Sequence, residues 1–216
     1  YAMRIWLKPD RMADLKLTTS EVANANLRKA GVADERIFFV GNTMIDTLLA
    51  NRAQFRPPSF WAETGLREGQ YFVMTLHRPA NVDDSQGFAN LLRAVGQAVR
   101  GLPVVFPVHP RTAKTLSALP DKPAGLLLVD PQPYLEFNYL VQHARGVITD
   151  SGGVTEETTV LGVPCVTLRD TTERPETVTI GTNELIGTDP AALKPALDRL
   201  FAGQWKKGGV PDKWDG

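Results

Sequence analysis

Apolar, β-branched runs recur along the chain, each closed by a polar or glycine-containing turn. They cover residues 37–40, 71–76, 104–108, 126–129, 147–149 and 163–168, with a weaker seventh at Leu185-Ile186. Continuous runs of this kind fit strands covered on both faces. Between them the period changes. Phe88, Leu91, Leu92, Val95 and Val99 share one face at helical spacing, as do Leu193, Leu197, Leu200 and Phe201. Asp189-Pro190 supplies an N-cap and a first-turn proline for the second set. Thr19 or Ser20 opens a further helix that Gly31 ends. Residues 57–69, with Pro57, Pro58, Gly65 and Gly69, read as a loop or short helix ahead of the strand at Tyr71. Strands alternating with helices predict a Rossmann-like three-layer α/β/α fold with a mostly parallel sheet and right-handed crossovers.

Composition narrows the function. The 216 residues are 43% hydrophobic, enough to bury the core of one generous α/β domain. Lys+Arg and Asp+Glu both number 24. A neutral chain has no electrostatic footprint for nucleic acid or for an anionic membrane surface, so an anionic ligand has to be held by local groups. Cys165 stands alone and cannot form an internal disulfide, which points to a reducing compartment, the cytoplasm. No apolar run approaches the roughly 20 residues that span a bilayer. The chain opens in mid-pattern and closes on Asp212-Lys213-Trp214-Asp215-Gly216 without a final helix. Both ends suggest a piece of a longer protein. Residues 1–20 would then be a linker or the end of a preceding N-terminal domain, and 21–216 the ligand-binding domain.

The strongest chemical signal is Thr149-Asp150-Ser151-Gly152-Gly153-Val154-Thr155-Glu156-Glu157. A strand ends at Thr149, and Ser151 can cap a helix running to about Leu161, where Gly162 and Pro164 stop it. Two glycines at a helix start let a ligand approach the backbone, and the free N–H groups and helix dipole there favour an anion such as phosphate. The alternative is a tight turn that simply needs glycine. Glu156 and Glu157 either complement the helix dipole or accept hydrogen bonds from ribose hydroxyls, with Glu157 the better placed for ribose. A second signal is a matched pair. His77 and His109 each follow a strand end, where ligands of open parallel sheets collect, and each has an arginine within two residues. Such a histidine binds a phosphate or sugar hydroxyl, moves a proton, or serves as a hydrogen-bonded loop residue. His143, in a helix-like stretch, reads as structural. No His/Cys/Asp spacing resembles a metal site. A third signal is the polar loop from Arg169 to Glu176, whose donors suit a sugar or phosphate even though part of it salt-bridges to itself.

These motifs resemble the UDP-N-acetylglucosamine 2-epimerase family over residues 10–216. The matching stretches are Val40-Gly41-Asn42-Thr43, Thr75-Leu76-His77-Arg78-Pro79, Asp150-Ser151-Gly152-Gly153 through Glu157, and Arg169-Asp170-Thr171-Thr172-Glu173-Arg174-Pro175-Glu176; Gly187-Thr188 fits the strand that follows. The resemblance implies one half of a GT-B fold, the C-terminal UDP-binding domain, with the active site in a cleft between two Rossmann-like domains. Ser151, Gly152 and Gly153 would hold the diphosphate, Glu157 the ribose hydroxyls, and Phe137 would pack against uracil. His77, the candidate catalytic residue, and Arg174 would line the phosphate and sugar side, and His109 would lie near the cleft. The implied reaction interconverts UDP-GlcNAc and UDP-ManNAc by elimination and re-addition of UDP, and some relatives hydrolyse the 2-acetamidoglucal intermediate instead. The resemblance implies no cofactor, neither NAD nor metal, and as partners UDP or UDP-GlcNAc, an N-terminal domain of the same enzyme and a possible homodimer. The sequence also departs from the family. The acid–base carboxylates sit mainly in the N-terminal domain and in a Pro-Glu-Glu segment, where residues 1–9 here carry no acid, and Ala80 stands where many relatives place an acid. The chain alone would therefore bind UDP weakly without turnover. The alternatives are a GT-B glycosyltransferase donor domain, against which the 169–176 stretch argues, and a non-catalytic UDP-sugar-binding module.

Overall fold

The structure is a computed structural model that describes residues 14–119 and 123–216. Residues 1–13, most of the expected linker, lie outside the described residues. The chain folds as two compact units. Among the described residues, one combines 14–50 with 211–216, and the other spans 51–210.

The smaller unit holds β1 (Lys16–Thr18), α1 (Glu21–Lys29), β2 (Ile37–Phe39) and α2 (Thr43–Asn51), the last of which crosses into the next unit by one residue. β1 pairs with β2 in parallel, Leu17 opposite Phe38. The hydrophobic pattern does not reveal β1 because its polarity is inverted. Lys16 and Thr18 are buried and Leu17 is exposed. Ser20, one of the two expected caps, accepts the Ala23 N–H at 3.2 Å, and Gly31 follows the helix with a left-handed φ of +83°. The closing segment folds back onto this unit. Trp214 is fully buried, and its ring N–H donates to the Thr19 carbonyl at 3.0 Å. Gly41 shows why the Val-Gly-Asn-Thr stretch needs its glycine. Its φ is +88°, and a Cβ there would lie 2.3 Å from the Lys213 carbonyl oxygen. Only a residue without a side chain lets the two segments cross so closely.

The larger unit runs α3 (Trp61–Thr64), β3 (Phe72–Thr75), α4 (Pro79–Val82), α5 (Ser85–Ala98), β4 (Val104–Pro107), α6 (Pro110–Ser117), β5 (Leu126–Val129), α7 (Tyr134–His143), β6 (Gly146–Thr149), α8 (Gly152–Leu161), β7 (Cys165–Thr167), α9 (Pro175–Thr179), β8 (Asn183–Leu185) and α10 (Leu193–Phe201). The strands form one six-stranded sheet in the order β5-β4-β3-β6-β7-β8, every pair parallel. Alternate residues serve opposite faces. Phe72, Met74, Val104, Phe106, Ile148 and Val166 pack under α5 and α10. Tyr71, Val73, Val105, Val147 and Cys165 pack with Leu140 and Val141 of α7 and Val154 of α8. This is the three-layer α/β/α arrangement expected of continuously apolar strands. Asp189 does cap, accepting the Ala191 N–H at 2.9 Å, although the first turn it opens is a 3-10 turn over Pro190–Ala192. His143 is the last residue of α7, and its ring stacks on Tyr139 at 4.2 Å. No helix among the described residues is long and apolar enough to cross a membrane.

Candidate functional site

Strand order locates the site. The chain lays down β3, β4 and β5 outward in one direction, then returns through α7 to place β6 on the other side of β3. At this switch point the loops leaving β3 and β6 diverge and open a crevice at their carboxyl ends. His77 stands just beyond β3 and Ser151 just beyond β6. A cleft of about 240 Å³ lies there, lined by His77, His109, Phe137 and Ser151 together with Thr75, Leu76, Pro107, Pro131, Gln132 and Val154. It is smaller than the ~300–1,000 Å³ of a complete small-molecule site. The two histidine rings sit 6.0 Å apart. Glu157, a residue of α8, and Arg174, which pairs with Glu156 of that helix, are not among the residues lining the cleft.

The head of α8 departs from the expected anion site in one respect. The Ser151 N–H is already used, donating to Thr149 Oγ1 at 3.0 Å, and the Ser151 side chain makes no capping bond. The donors left are the amides of Gly152 and Gly153. Both residues are part-exposed, and among the described residues no acceptor takes either N–H. Neither glycine has a positive φ. A Cβ on Gly152 would meet only ordinary contacts, 3.9 Å from Arg169 Nη1 and from Glu173 Oε2. The turn itself therefore does not require glycine at position 152.

Arg169 and Glu173 form the rim of this space. Arg169 Nη2 donates to Glu173 Oε1 at 2.6 Å. That guanidinium holds the Glu173 carboxyl at about 2, well below the usual carboxylate range, against the opposing effect of burial. One turn along α8 the two neighbouring acids part company. Glu156 is buried and bonds Arg174 Nε, which fixes that guanidinium from behind. Glu157 is buried beside Asn138 and Tyr134. Burial pushes its carboxyl up to about 7, and those two polar neighbours partly counter the rise. Asn138 Oδ1 is buried without a hydrogen-bond partner.

The sequence reading missed the group that ties these parts together. Asp150 is fully buried. Its carboxylate accepts the backbone N–H of His77 (3.2 Å to Oδ1, 3.1 Å to Oδ2), that of Arg78 (2.9 Å) and the Asn81 side-chain amide (3.1 Å), and it lies 2.9 Å from His77 Nδ1. Arg78 Nε in turn donates to the Asp150 carbonyl at 2.9 Å. The partners are about 70 residues apart in sequence, so no local spacing announces the contact. The available signal was an acid placed at the strand end, directly before the expected helix cap.

Comparison with known proteins agrees with this geometry. Residues 7–210 match the family model described as UDP-N-acetylglucosamine 2-epimerase. The chain belongs to that family. Among its relatives in the 2-epimerase family, the UDP-N-acetylglucosamine 2-epimerase of Methanocaldococcus jannaschii is 36% identical over 203 residues, covering 89% of this chain and 55% of the relative. That of Escherichia coli is 34% identical over 202 residues, covering 88% and 53%. The chain thus spans about half the length of the curated epimerases it matches. The crystal structure of the M. jannaschii epimerase in complex with UDP-GlcNAc and UDP superposes with a TM-score of 0.80 at 33% identity, over 95% of this chain and 59% of that one. The glycosyltransferase VinC in complex with dTDP shares the fold alone, at a TM-score of 0.51 and 18% identity over 68% of this chain.

Proposed function

We propose that this chain supplies the UDP-binding half of a UDP-GlcNAc 2-epimerase, with the diphosphate gripped at the head of α8. One observation carries the reading. Two amides at the topological switch point have no protein acceptor among the described residues, beside a glycine that its own turn does not require. Diphosphate oxygens satisfy such amides and the helix dipole together. Phe137, on the wall of the same cleft, offers a ring face to uracil, and Glu157, one turn further along α8, accepts from the ribose hydroxyls.

In the proposed reaction a base removes the proton on carbon 2 of the sugar. That electron pair becomes the double bond between carbons 1 and 2, while the bond from carbon 1 to the diphosphate oxygen breaks and its pair leaves with UDP. Return of a proton to the opposite face, with re-addition of UDP, gives the epimer. Charge develops on the departing diphosphate, and preoriented N–H donors stabilise it without reorganisation. Arg174, braced by Glu156, adds a positive charge on the same flank. His77 and His109 face the sugar side. The carboxylates that handle the proton on carbon 2 belong, in this reading, to the N-terminal domain of the enzyme.

UDP at about a hundredfold its Kd stabilises the chain by about 2.7 kcal/mol, several degrees in Tm. Ser151→Asp puts a fixed anion at the diphosphate position and abolishes that rise. A variant that responds like the parent would move the phosphate site elsewhere. In deuterated water the chain alone leaves carbon 2 of UDP-GlcNAc unlabelled, and label appearing there would refute the need for outside carboxylates.

A further inference from the structure

Asp150 does more than join two turns. Its Oδ2 is taken by three N–H donors, from His77, Arg78 and Asn81, and its Oδ1 faces the His77 ring nitrogen Nδ1 at 2.9 Å. Three N–H groups converging on one carboxyl group match its ionised form, which only accepts. The ring nitrogen opposite that acceptor must then carry a proton. In the neutral imidazole the other nitrogen, Nε2, is left bare. The carboxyl is fully buried, while the His77 side chain is 43% exposed and lines the cleft. The contact thus runs from the interior to the site, and it fixes which ring nitrogen the site meets.

We propose that Asp150 is the positioning residue of the site. It holds the proton of neutral His77 on Nδ1 and presents a bare Nε2 to the sugar-diphosphate, an acceptor for a ligand proton and, once protonated, a donor to a diphosphate oxygen. The inference rests on the reading of His77 as a ligand-facing group, but its core, the placement of one proton, does not require turnover or ligand. The same carboxylate bonds the turn after β3 and belongs to the residue directly before the α8 cap. The acid–base group and the diphosphate amides are therefore held in register by one side chain, which is how a catalytic constellation gains its precision.

The test is a long-range proton–nitrogen NMR correlation on the nitrogen-15-labelled chain at about pH 8.5, where an ordinary imidazole is neutral. His77→Gln assigns the signals. The wild-type ring should show the proton on Nδ1 and a bare Nε2. A His77 ring protonated on Nε2 overturns the proposal without any variant being made. Asp150→Asn sharpens it. Because Oδ2 faces three N–H groups, the amide oxygen has to stay there, which turns the amide nitrogen toward Nδ1. A ring facing a donor must accept at Nδ1 and move its proton to Nε2, so the tautomer inverts. A purely structural clip would leave the tautomer unchanged in any folded Asp150→Asn chain, and that result also overturns the proposal. Adding UDP separates the two layers. If UDP moves neither the His77 ring signals nor the Tm, the nucleotide reading fails while the tautomer result stands on its own.

Discussion

The two units are unfinished in opposite ways. In the larger one the sheet is covered on both faces by helices, and what remains unsatisfied is polar. The amides of Gly152 and Gly153 and the side-chain oxygen of Asn138 gather around α8 and lack hydrogen-bond partners among the described residues, as do Glu136 Oε2, Arg145 Nε and the Glu176 carboxylate elsewhere in the unit. In the smaller unit the buried Asn42 Nδ2 also lacks such a partner, but the larger gap is apolar. Leu15, Leu17, Phe38 and Val40 lie on one face of a two-stranded parallel sheet and are 44–69% exposed. Parallel strands normally lie buried on both faces, and two strands alone do not make a stable sheet. Unpaired amides call for a small hydrophilic ligand. A contiguous apolar face calls for a protein surface. The difference shows that incompleteness has a chemistry, and that this chemistry names the kind of partner.

The sharpest way to break this contrast is at Trp214. With so little sheet, the smaller unit depends on the buried indole and on the bond from its ring N–H to Thr19. Trp214→Ala should cost that unit about 3–5 kcal/mol. Hydrogen exchange should show protection lost in α1 and α2 and kept in β3 and β6. Equal loss in both units would mean that they unfold as one, and the comparison would fail.

Sequence legibility divides along the same line. Five strands of the larger sheet are visible because a doubly covered strand is apolar at nearly every position, and that pattern survives without knowledge of its partners; β8 opens on Asn183-Glu184 and meets the expected Leu185-Ile186 strand only at Leu185. β1 was invisible because it buries Lys16 and Thr18 and exposes Leu17, an order that makes sense only with its surroundings. The site shows the same split. His77, His109 and Ser151 are legible because strand ends and glycine turns are local signals, whereas Phe137, inside α7, comes from the family resemblance alone; the structure brings these four to one cleft. Asp150 carries no role in the sequence reading, and Glu156 carries only helix-dipole or ribose readings rather than its bond to Arg174, since each acts on a residue brought to it only by folding. The family resemblance gives Ser151, Gly152 and Gly153 together to the diphosphate. The neighbouring Thr149 hydroxyl had already claimed the Ser151 amide.

Two glycines turn the comparison into a paired experiment. Gly41 is needed by the protein, with a left-handed φ and the Lys213 carbonyl in the way of any Cβ. Gly152 is needed by the proposed ligand, with neither constraint. Gly41→Ala should therefore lower stability by more than the ~1 kcal/mol typical of a backbone mismatch, leaving UDP affinity in folded chains unchanged. Gly152→Ala should leave stability within about 0.5 kcal/mol. It should weaken UDP about tenfold, roughly 1.4 kcal/mol, by crowding the backbone approach. Calorimetry and thermal melts on both variants read the two axes separately. A Gly152→Ala chain that melts early yet binds UDP normally would return that glycine to the turn.

The finest distinction concerns Glu157, an acid that the larger unit buries beside Asn138 and Tyr134. Burial raises its carboxyl to about 7 in the free chain. The folded state then keeps a proton that the unfolded chain has lost, so its contribution to stability is full below the ordinary carboxylate range and falls away as pH rises through about 7. Ribose hydroxyls donate to the charged form and favour it, so binding below about pH 7 must release a proton. Affinity for UDP-GlcNAc, whose diphosphate does not titrate in this range, should climb between about pH 6 and 8, by at most about tenfold per unit, and then level off. Glu157→Gln should flatten that profile and bind at the wild type's low-pH level throughout. If the variant keeps the same slope, the proton comes from another group, and Glu157 is a buried acid without a ribose to hold.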